Sequence, residues 1–446
     1  MQVCLILDWK NMKLHLLVRV ALASLLLASG LARAELNVEI TRGAGKQVPV
    51  AVVPFAWEGD GAAAPIDVAA VIAADLQRSG RFAPIDINKM LQRPTSGVDV
   101  NFSDWSILGV EALVIGRVTQ TGDNVYSIQF QLFDVFGREQ LVGYRMPASR
   151  GTMRVGAHRA ADMIYEKLTG IPGVFGTQVT YVTATGTGRD RLYRLIVADA
   201  DGENEHTIME SADPIMSPAW SPDSRRIAYV SFEGSVSSIF IQTLRTGNRV
   251  RVSNRAGING SPSFSPDGRK LVLTLGGPDG NLDIHVMDIA SREVTRLTTN
   301  RSIDTEGSWS PDGSQIYFTS DRSGGPQVYR ISANGGTPER VTFEGSYNAR
   351  PRLSPDGKKL ALVHQNRGQF QIAVQDLASR QLLILSTGDQ DESPSFAPNS
   401  DTLIYATRQG RQGVLATVSA DGLIRQRLAS GEGDVREPVW SPFPRY

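Results

Sequence analysis

Short apolar runs bounded by turn-forming residues recur through the chain from about residue 178 to its end. Ile227-Ala228-Tyr229-Val230, Leu271-Val272-Leu273-Thr274, Ile316-Tyr317-Phe318-Thr319, Leu360-Ala361-Leu362-Val363 and Leu403-Ile404-Tyr405-Ala406 are five of them. Each follows a copy of one pattern. The copies are Pro218-Ala219-Trp220-Ser221-Pro222-Asp223, Pro262-Ser263-Phe264-Ser265-Pro266-Asp267-Gly268, Ser308-Trp309-Ser310-Pro311-Asp312-Gly313, Pro351-Arg352-Leu353-Ser354-Pro355-Asp356-Gly357, Pro394-Ser395-Phe396-Ala397-Pro398-Asn399 and Pro438-Val439-Trp440-Ser441-Pro442. Their second prolines stand at 222, 266, 311, 355, 398 and 442, a period of 43 to 45 residues. Each copy reads as a strand ending in an aromatic residue or Leu, then a tight turn. Pro fits the second position of a type I turn, Asp bonds the local backbone, and Gly takes the positive φ that closes a hairpin. A third strand follows, as in Ile284-His285-Val286-Met287-Asp288 or Gln327-Val328-Tyr329-Arg330-Ile331, and a fourth, as in Val294-Thr295-Arg296-Leu297-Thr298. Four short strands per unit of ~40–50 residues is the signature of a β-propeller blade.

The strand count predicts how the ring closes. Six first strands are followed by only five second strands, and the missing one lies at the beginning, in Val179-Thr180-Tyr181-Val182-Thr183. The C-terminal strand around Pro438 to Ser441 is therefore expected in the blade begun near residue 179, so a six-bladed ring depends on the last ten residues. A seven-bladed ring would need sequence that is not there.

Residues 46–168 lack the repeat and read as mixed α/β. A strand is predicted over 48–55, ended by Pro54, a helix over 68–79 ended by Gly80, strands over 112–118 and 125–134, and an amphipathic helix over 153–168 stopped by Gly170 and Pro172. The Gly- and Pro-rich segment 169–177 is the expected linker. Residues 35–45 find no partner in this pattern and read as a mobile N-terminal arm. Ahead of them, Met12, Lys13, His15 and Arg19 begin a basic, then apolar, segment ending in Ala32-Arg33-Ala34, which predicts a signal peptide over 1–34 cleaved between Ala34 and Glu35. Residues 1–11 precede a better start at Met12 and read as a mis-assigned start. The apolar run is too short for a ~30 Å hydrocarbon core. The expected fold class is mainly β with an α/β domain: a small N-terminal α/β domain, then a six-bladed β-propeller over 178–446 closed by the C-terminal strand.

Charge and chemistry narrow the function. The 46 Lys and Arg are matched by 46 Asp and Glu, which leaves no electrostatic footprint for nucleic acid. The one cysteine, Cys4, leaves with the signal, so the mature chain is expected to have no disulfide, thiol nucleophile, thiolate metal site or lipid acceptor. No serine sits in a Gly-x-Ser-x-Gly elbow. His158, His206, His285 and His364 fall in four separate segments, and Gly186-Thr187-Gly188 and Gly43-Ala44-Gly45 lack the third glycine of a phosphate loop. No catalytic residue, cofactor site or metal site is therefore assigned. Binding is expected where the blade copies differ, just before each first strand: Ile215-Met216, Ile258-Asn259-Gly260, Asp304-Thr305-Glu306, Asn348-Ala349-Arg350, Asp391-Glu392 and Val435-Arg436-Glu437. If these share one face, Asp304, Glu306, Asp391, Glu392 and Glu437 make a carboxylate ring with Met216 and Ile258 as apolar points, suited to a protein or peptide partner.

A signal segment, an α/β domain and six Trp/Phe-Ser-Pro-Asp-Gly blades closed by Trp440-Ser441-Pro442 together resemble the TolB family of the Tol-Pal cell-envelope system. Val52-Val53-Pro54-Phe55, Met216-Ser217-Pro218-Ala219-Trp220-Ser221-Pro222-Asp223, Ile227-Ala228-Tyr229-Val230-Ser231-Phe232-Glu233 and Gln327-Val328-Tyr329 carry the resemblance, which spans the whole mature chain. Ser224 stands for the turn Gly in the first copy and Asn399 for Asp in the fifth. The resemblance implies a non-enzymatic periplasmic adaptor, and nothing in the sequence suggests a cofactor or more than a monomer. It would bind the lipoprotein Pal through the propeller mouth, here Met216, Ile258, Asn259, Asp304, Thr305, Glu306, Asn348, Asp391, Glu392 and Glu437. It would bind the periplasmic domain of TolA through the arm, here Glu35, Leu36, Asn37, Val38, Glu39 and Ile40, and would support outer-membrane integrity and constriction at division. The alternative is an exported propeller that binds a carbohydrate or peptide in its channel, or hydrolyses one with Asp304/Glu306 or Asp391-Glu392.

Overall fold

In the computed structural model, which describes residues 47–234, 236–277, 280–428 and 433–444, the front segment is organised by a mixed sheet. The cleavage site and the arm lie outside the described residues. The segment contains β1 (Val48–Val52), β2 (Ala56–Glu58), α1 (Val68–Arg78), β3 (Phe82–Pro84), α2 (Phe102–Ile107), β4 (Ala112–Gly122), β5 (Val125–Asp134), β6 (Glu139–Ser149) and α3 (Met153–Thr169). β1 runs parallel to β3 and β4, while β4, β5 and β6 form an antiparallel meander.

α1 forms because Val68, Ile72 and Leu76 recur at helical spacing on its buried face and Asp67 caps it, its carboxylate accepting from Ala70 N at 3.0 Å. α3 ends where Gly170 turns left-handed at φ 73°. Both helices cover one sheet face, with Ile72, Leu76, Ile128, Phe130 and Ile164 fully buried. A thinner cover built around Trp105 closes the other face. The strand expected over 48–55 is split. Pro54 has no N–H for the ladder, and the chain resumes pairing as β2, on the β4 edge. β6 was not expected. Only Met146 and Ala148 are buried along it, and as a sheet edge carrying Pro147 it has little of the alternation that marks a strand.

The remainder forms six four-stranded sheets. Blades 1 to 5 occupy 215–253, 259–296, 304–340, 348–384 and 392–427. Blade 6 is composite, its order being Asp434–Trp440, Gln178–Thr185, Leu192–Asp199 and His206–Ser211. The C-terminal strand pairs Val435 with Thr183, Val439 with Thr180 and Trp440 with Val179, which closes the ring non-covalently as expected.

The recurrent turn owes its shape to a local network. Ser310 Oγ donates to Asp312 Oδ1 at 2.6 Å, Ser314 N donates to the same carboxylate oxygen at 3.0 Å, and Gly313 sits at φ 72°. Ser224 and Ser400 occupy the glycine position of their copies at φ 56° and 63°. Aromatic residues ending the first strands pack between neighbouring blades. Trp220 Nε1 donates to Val439 O and Trp309 Nε1 to Ser263 O, each at 3.2 Å.

The α/β domain meets the propeller on the face that carries these turns. Arg81 Nη2 lies 2.9 Å from Asp401 Oδ2, and Asn399 Nδ2 donates to Pro172 O at 3.0 Å. A buried ionic joint supports the contact. His158 Nδ1 shares a 2.6 Å hydrogen bond with Asp75 Oδ2, its Nε2 lies 3.6 Å from Asp201 Oδ2, and Arg78 and Arg154 pair with the same carboxylates. These Asp and His atoms are close enough together to hold a cation. Two guanidiniums already neutralise the carboxylates, so the cluster reads as an inter-domain tie.

Candidate functional site: the propeller channel

The innermost strand of every blade carries a bulge at the same place. Its register shifts between Met216 and Ala219, Gly260 and Ser263, Thr305 and Ser308, Ala349 and Arg352, Glu392 and Ser395, and Arg436 and Val439. In each case the residue that begins the bulge is left-handed: Ser217, Ser261, Glu306, Arg350, Ser393 and Glu437 have φ between 46° and 60°. Five of the six precede a proline, which disfavours the right-handed region, and the bulge turns these six side chains toward the channel. A second ring, one step nearer the turns, contains Ala219, Ser263, Ser308, Arg352, Ser395 and Val439. Members of both rings line one pocket that is open to solvent.

The first ring holds a charge network. Arg350 Nε lies 2.9 Å from Glu306 Oε1 and Arg350 Nη2 3.6 Å from Glu437 Oε1, while Nη1 donates to Ser393 Oγ. Glu306 Oε2 also accepts from Arg350 N at 3.0 Å and Thr319 Oγ1 at 2.9 Å, and Glu437 accepts from Ser217 N. Burial works against the Arg350 charge, but Glu306, Glu437 and Glu392 outweigh it and hold its pKa above the usual arginine value. Arg350 therefore bolts three neighbouring blades and blade 6 together across the channel.

The sequence-predicted mouth residues separate into two groups. Asn259, Asp304, Asn348 and Asp391 occupy one recurring position at the start of the first strand, and all are buried. Asn259 Oδ1 accepts from Ser253 Oγ at 2.6 Å, and Asn348 Nδ2 donates to Glu344 O at 2.7 Å and to Gln327 at 2.9 Å. Asp304 receives both Arg322 contacts, at 2.8 and 2.9 Å, and Asp391 accepts from Gly388 N at 3.0 Å and from Thr407. Burial pushes the Asp391 carboxyl up, against the lowering effect of the Ser386, Thr407 and Gly388 donors. Two of the five carboxylates expected in a mouth ring are thus committed to holding the loops. The second group is accessible: Met216 and Ile258 are exposed, and Thr305, Glu306, Glu392 and Glu437 are partly exposed.

Strand direction places this group. First strands run from the mouth to the Ser-Pro-Asp turns, so the mouth faces away from the α/β domain, and the fourth-to-first and second-to-third connections also lie on the mouth side. Those connections carry Val236, Ile303 and Phe343, all exposed. With Met216 and Ile258 they put five large apolar side chains on the mouth side of blades 1 to 3 and the approach to blade 4. The members of the site that the sequence did not place at the mouth are Ser217, Ser261, Arg352 and Ser393, whereas Arg350 stood in the variable loop Asn348-Ala349-Arg350. For Ser217, Ser261 and Ser393 the signal was the position preceding the first proline of the copy, while Arg352 stands one place after that proline.

Fold and site together define a six-bladed propeller that carries an α/β domain on one face and an open, partly apolar mouth on the other. The N-terminal family model, described as the TolB amino-terminal domain, matches residues 36–141, and that of the TolB beta propeller domain matches 165–444. Relatives named Tol-Pal system protein TolB from Xanthomonas campestris pv. campestris and Xanthomonas euvesicatoria pv. vesicatoria are each 48% identical, over 92% and 95% of this chain and 93% and 97% of theirs. The crystal structure of TolB from Acinetobacter baumannii is 41% identical, with a TM-score of 0.84, over 92% of this chain and 100% of that one. The chain belongs to the TolB family. No helix among the described residues is long and apolar enough to cross a membrane.

Proposed function

We propose that this protein is a non-enzymatic periplasmic adaptor of the Tol-Pal system that binds the lipoprotein Pal at the propeller mouth and the periplasmic domain of TolA through the arm beginning at Glu35. In this role it supports outer-membrane integrity and envelope constriction during division. The observation that carries the reading is the mouth itself. Exposed Met216, Val236, Ile258, Ile303 and Phe343 flank a polar channel on the face the α/β domain leaves open, an apolar-and-polar mixture that suits a protein partner. Membership of a family whose relatives are named for the Tol-Pal system supports the choice of partners. The hydrolase alternative has less support, because Asp304 and Glu306 are ion-paired and Asp391 is buried under three donors.

The test is binding of the mature chain from Glu35 to the periplasmic domain of its own Pal. Met216→Ala and Ile258→Ala are expected to weaken it about tenfold each, equivalent to ~1.4 kcal/mol, with the thermal midpoint kept. No binding by the wild-type chain would sink the Pal assignment. Unchanged TolA binding after deletion of residues 35–45 would sink the arm assignment.

A further inference from the structure

The mouth changes character around its ring. Its apolar side chains, Met216, Val236, Ile258, Ile303 and Phe343, lie over blades 1 to 3 and the approach to blade 4. The mouth-side connections of blades 4 to 6 carry arginines instead. Arg367 sits in the hairpin between Lys359–Asn366 and Gln369–Asp376, Arg408 and Arg411 at the hairpin where Gln409 pairs with Gln412, and Arg189 in the connection from Gln178–Thr185 to Leu192–Asp199. All four are exposed, and among the described residues none has a carboxylate within ion-pairing distance. Arg436, also exposed, pairs with Asp434 at 2.7 Å. Against these five arginines stand exposed Asp190 and Asp389, whereas on the apolar half exposed Arg255 and Arg301 are matched by Asp213 and Glu344. Among the described residues the mouth thus has a positive half and an electrically balanced, apolar half. The division matters because six blades of one backbone offer a partner six similar rotational settings about the channel. A charge boundary chooses among them, since a mis-rotated partner would set its carboxylates on apolar side chains and lose their solvation.

We propose that Arg189, Arg367, Arg408 and Arg411 form an acid-recognising half of the mouth. It takes a folded protein whose contact face carries a carboxylate cluster beside an apolar patch, and it fixes that partner's rotation about the channel. That the partner is Pal rests on the adaptor reading above; the sign of its contact face does not. Guanidiniums kept in water at a rim act mainly on encounter, through a field screened over ~10 Å at 0.1 M salt, and contribute less to the lifetime of the complex. An anionic membrane fits less well. Insertion into a bilayer needs apolar side chains flanked by cations, and here the two kinds occupy opposite halves of a ring around a polar channel.

The experiment uses the mature full chain, the fourfold variant Arg189→Gln/Arg367→Gln/Arg408→Gln/Arg411→Gln, and Arg292→Gln/Arg380→Gln as a control that removes exposed arginines from the turn side. Stopped-flow association with the periplasmic domain of Pal is expected to slow about tenfold between about 50 and about 300 mM NaCl. The fourfold variant should associate about tenfold more slowly at the lower salt, lose most of the salt dependence and dissociate within about twofold of the wild-type rate, while the control behaves as wild type. Phenylglyoxal should modify the four arginines of the free wild-type chain and spare them in the complex, a readout that needs no variant. A second probe separates the arginine half from the identity of the partner. The peptide acetyl-Trp-Leu-Gly-Glu-Glu-Glu-amide should bind the wild-type chain more tightly than its glutamine counterpart, and the difference should vanish in the fourfold variant. That preference without any Pal binding would remove Pal and leave the acid-recognising half standing. Unchanged Pal association in the fourfold variant, an equal loss in the control, or arginines still modified in the Pal complex would overturn the proposal. So would the absence of both Pal binding and peptide preference, or capture on anionic lipid vesicles, lost in the fourfold variant, without peptide preference.

Discussion

Replacing Trp440 by Ala tests whether the ring is held shut at one seam. Trp440 is 7% exposed, its Nε1 donates to Thr177 Oγ1 at 2.7 Å, and its backbone N donates to Ser395 Oγ at 3.0 Å. Truncating a buried Trp costs about 3–5 kcal/mol, and leaving the buried Thr177 hydroxyl without its donor adds about 1 kcal/mol. At about 2 °C per kcal/mol for a propeller of this size, a loss of ~4–6 kcal/mol should lower the midpoint of thermal unfolding by roughly 7–11 °C. Trp309 supplies the control. It is 9% exposed, and its Nε1 donates to Ser263 O at 3.2 Å, but its strand is tethered by chain on both sides. The strand bearing Trp440 is joined to its partner Gln178–Thr185 by no hairpin, so weakening it releases that pairing. Trp440→Ala should therefore unfold below Trp309→Ala, and amide exchange in 178–185 should accelerate in the first variant alone. Equal midpoints with unchanged exchange in 178–185 would refute the seam argument.

Other consequences follow from particular contacts. Arg350→Ala strands Glu306 and Glu437 in the channel and should cost about 2–3 kcal/mol by chemical denaturation, with part recovered in the Arg350→Ala/Glu306→Gln double variant; no recovery would mean that the network is not the cause. Gly313→Ala places a Cβ 3.6 Å from its nearest neighbour, so its cost is that of φ 72° alone, about 1–2 kcal/mol, and a neutral result would show the turn relaxing. Burial pushes the Asp162 carboxyl up to about 7 although it accepts from Phe175 N and Gly176 N in the linker. The folded state then keeps a proton that the unfolded chain releases near 4, so this group's stability contribution is present at low pH and is lost as pH rises from about 4 through about 7. Denaturation midpoints should fall over that interval, and Asp162→Asn should flatten the slope.

The repeats made the fold legible because they specify its chemistry locally. Each copy brings its own turn, as Ser310, Asp312 and Gly313 do, and an aromatic residue that packs on the next blade, so six copies and one orphan second strand determine the ring and its closure. Repetition also held a warning about the site. Asn259, Asp304, Asn348 and Asp391 align with one another, and a polar residue recurring at one position in four copies meets a demand of the fold, here the bonding of a buried loop. Two residues further on, the position that lines the channel mixes small and charged side chains on one left-handed backbone: Ser217, Ser261 and Ser393, Glu306 and Glu437, and Arg350. The bulge behind that ring was hidden because prolines interrupt the alternation on which strand register is read. Arg352 was hidden for a different reason. It lies inside the repeated pattern, at the position between the first proline and the terminal aromatic or Leu, where the other copies carry Ala, Ser or Val. A long cation among small neighbours is the departure that sequence comparison within one chain can detect. What it could not supply was the pairing, because whether Glu306 and Glu437 turn to Arg350 or to Arg352 depends on how the bulge directs each strand.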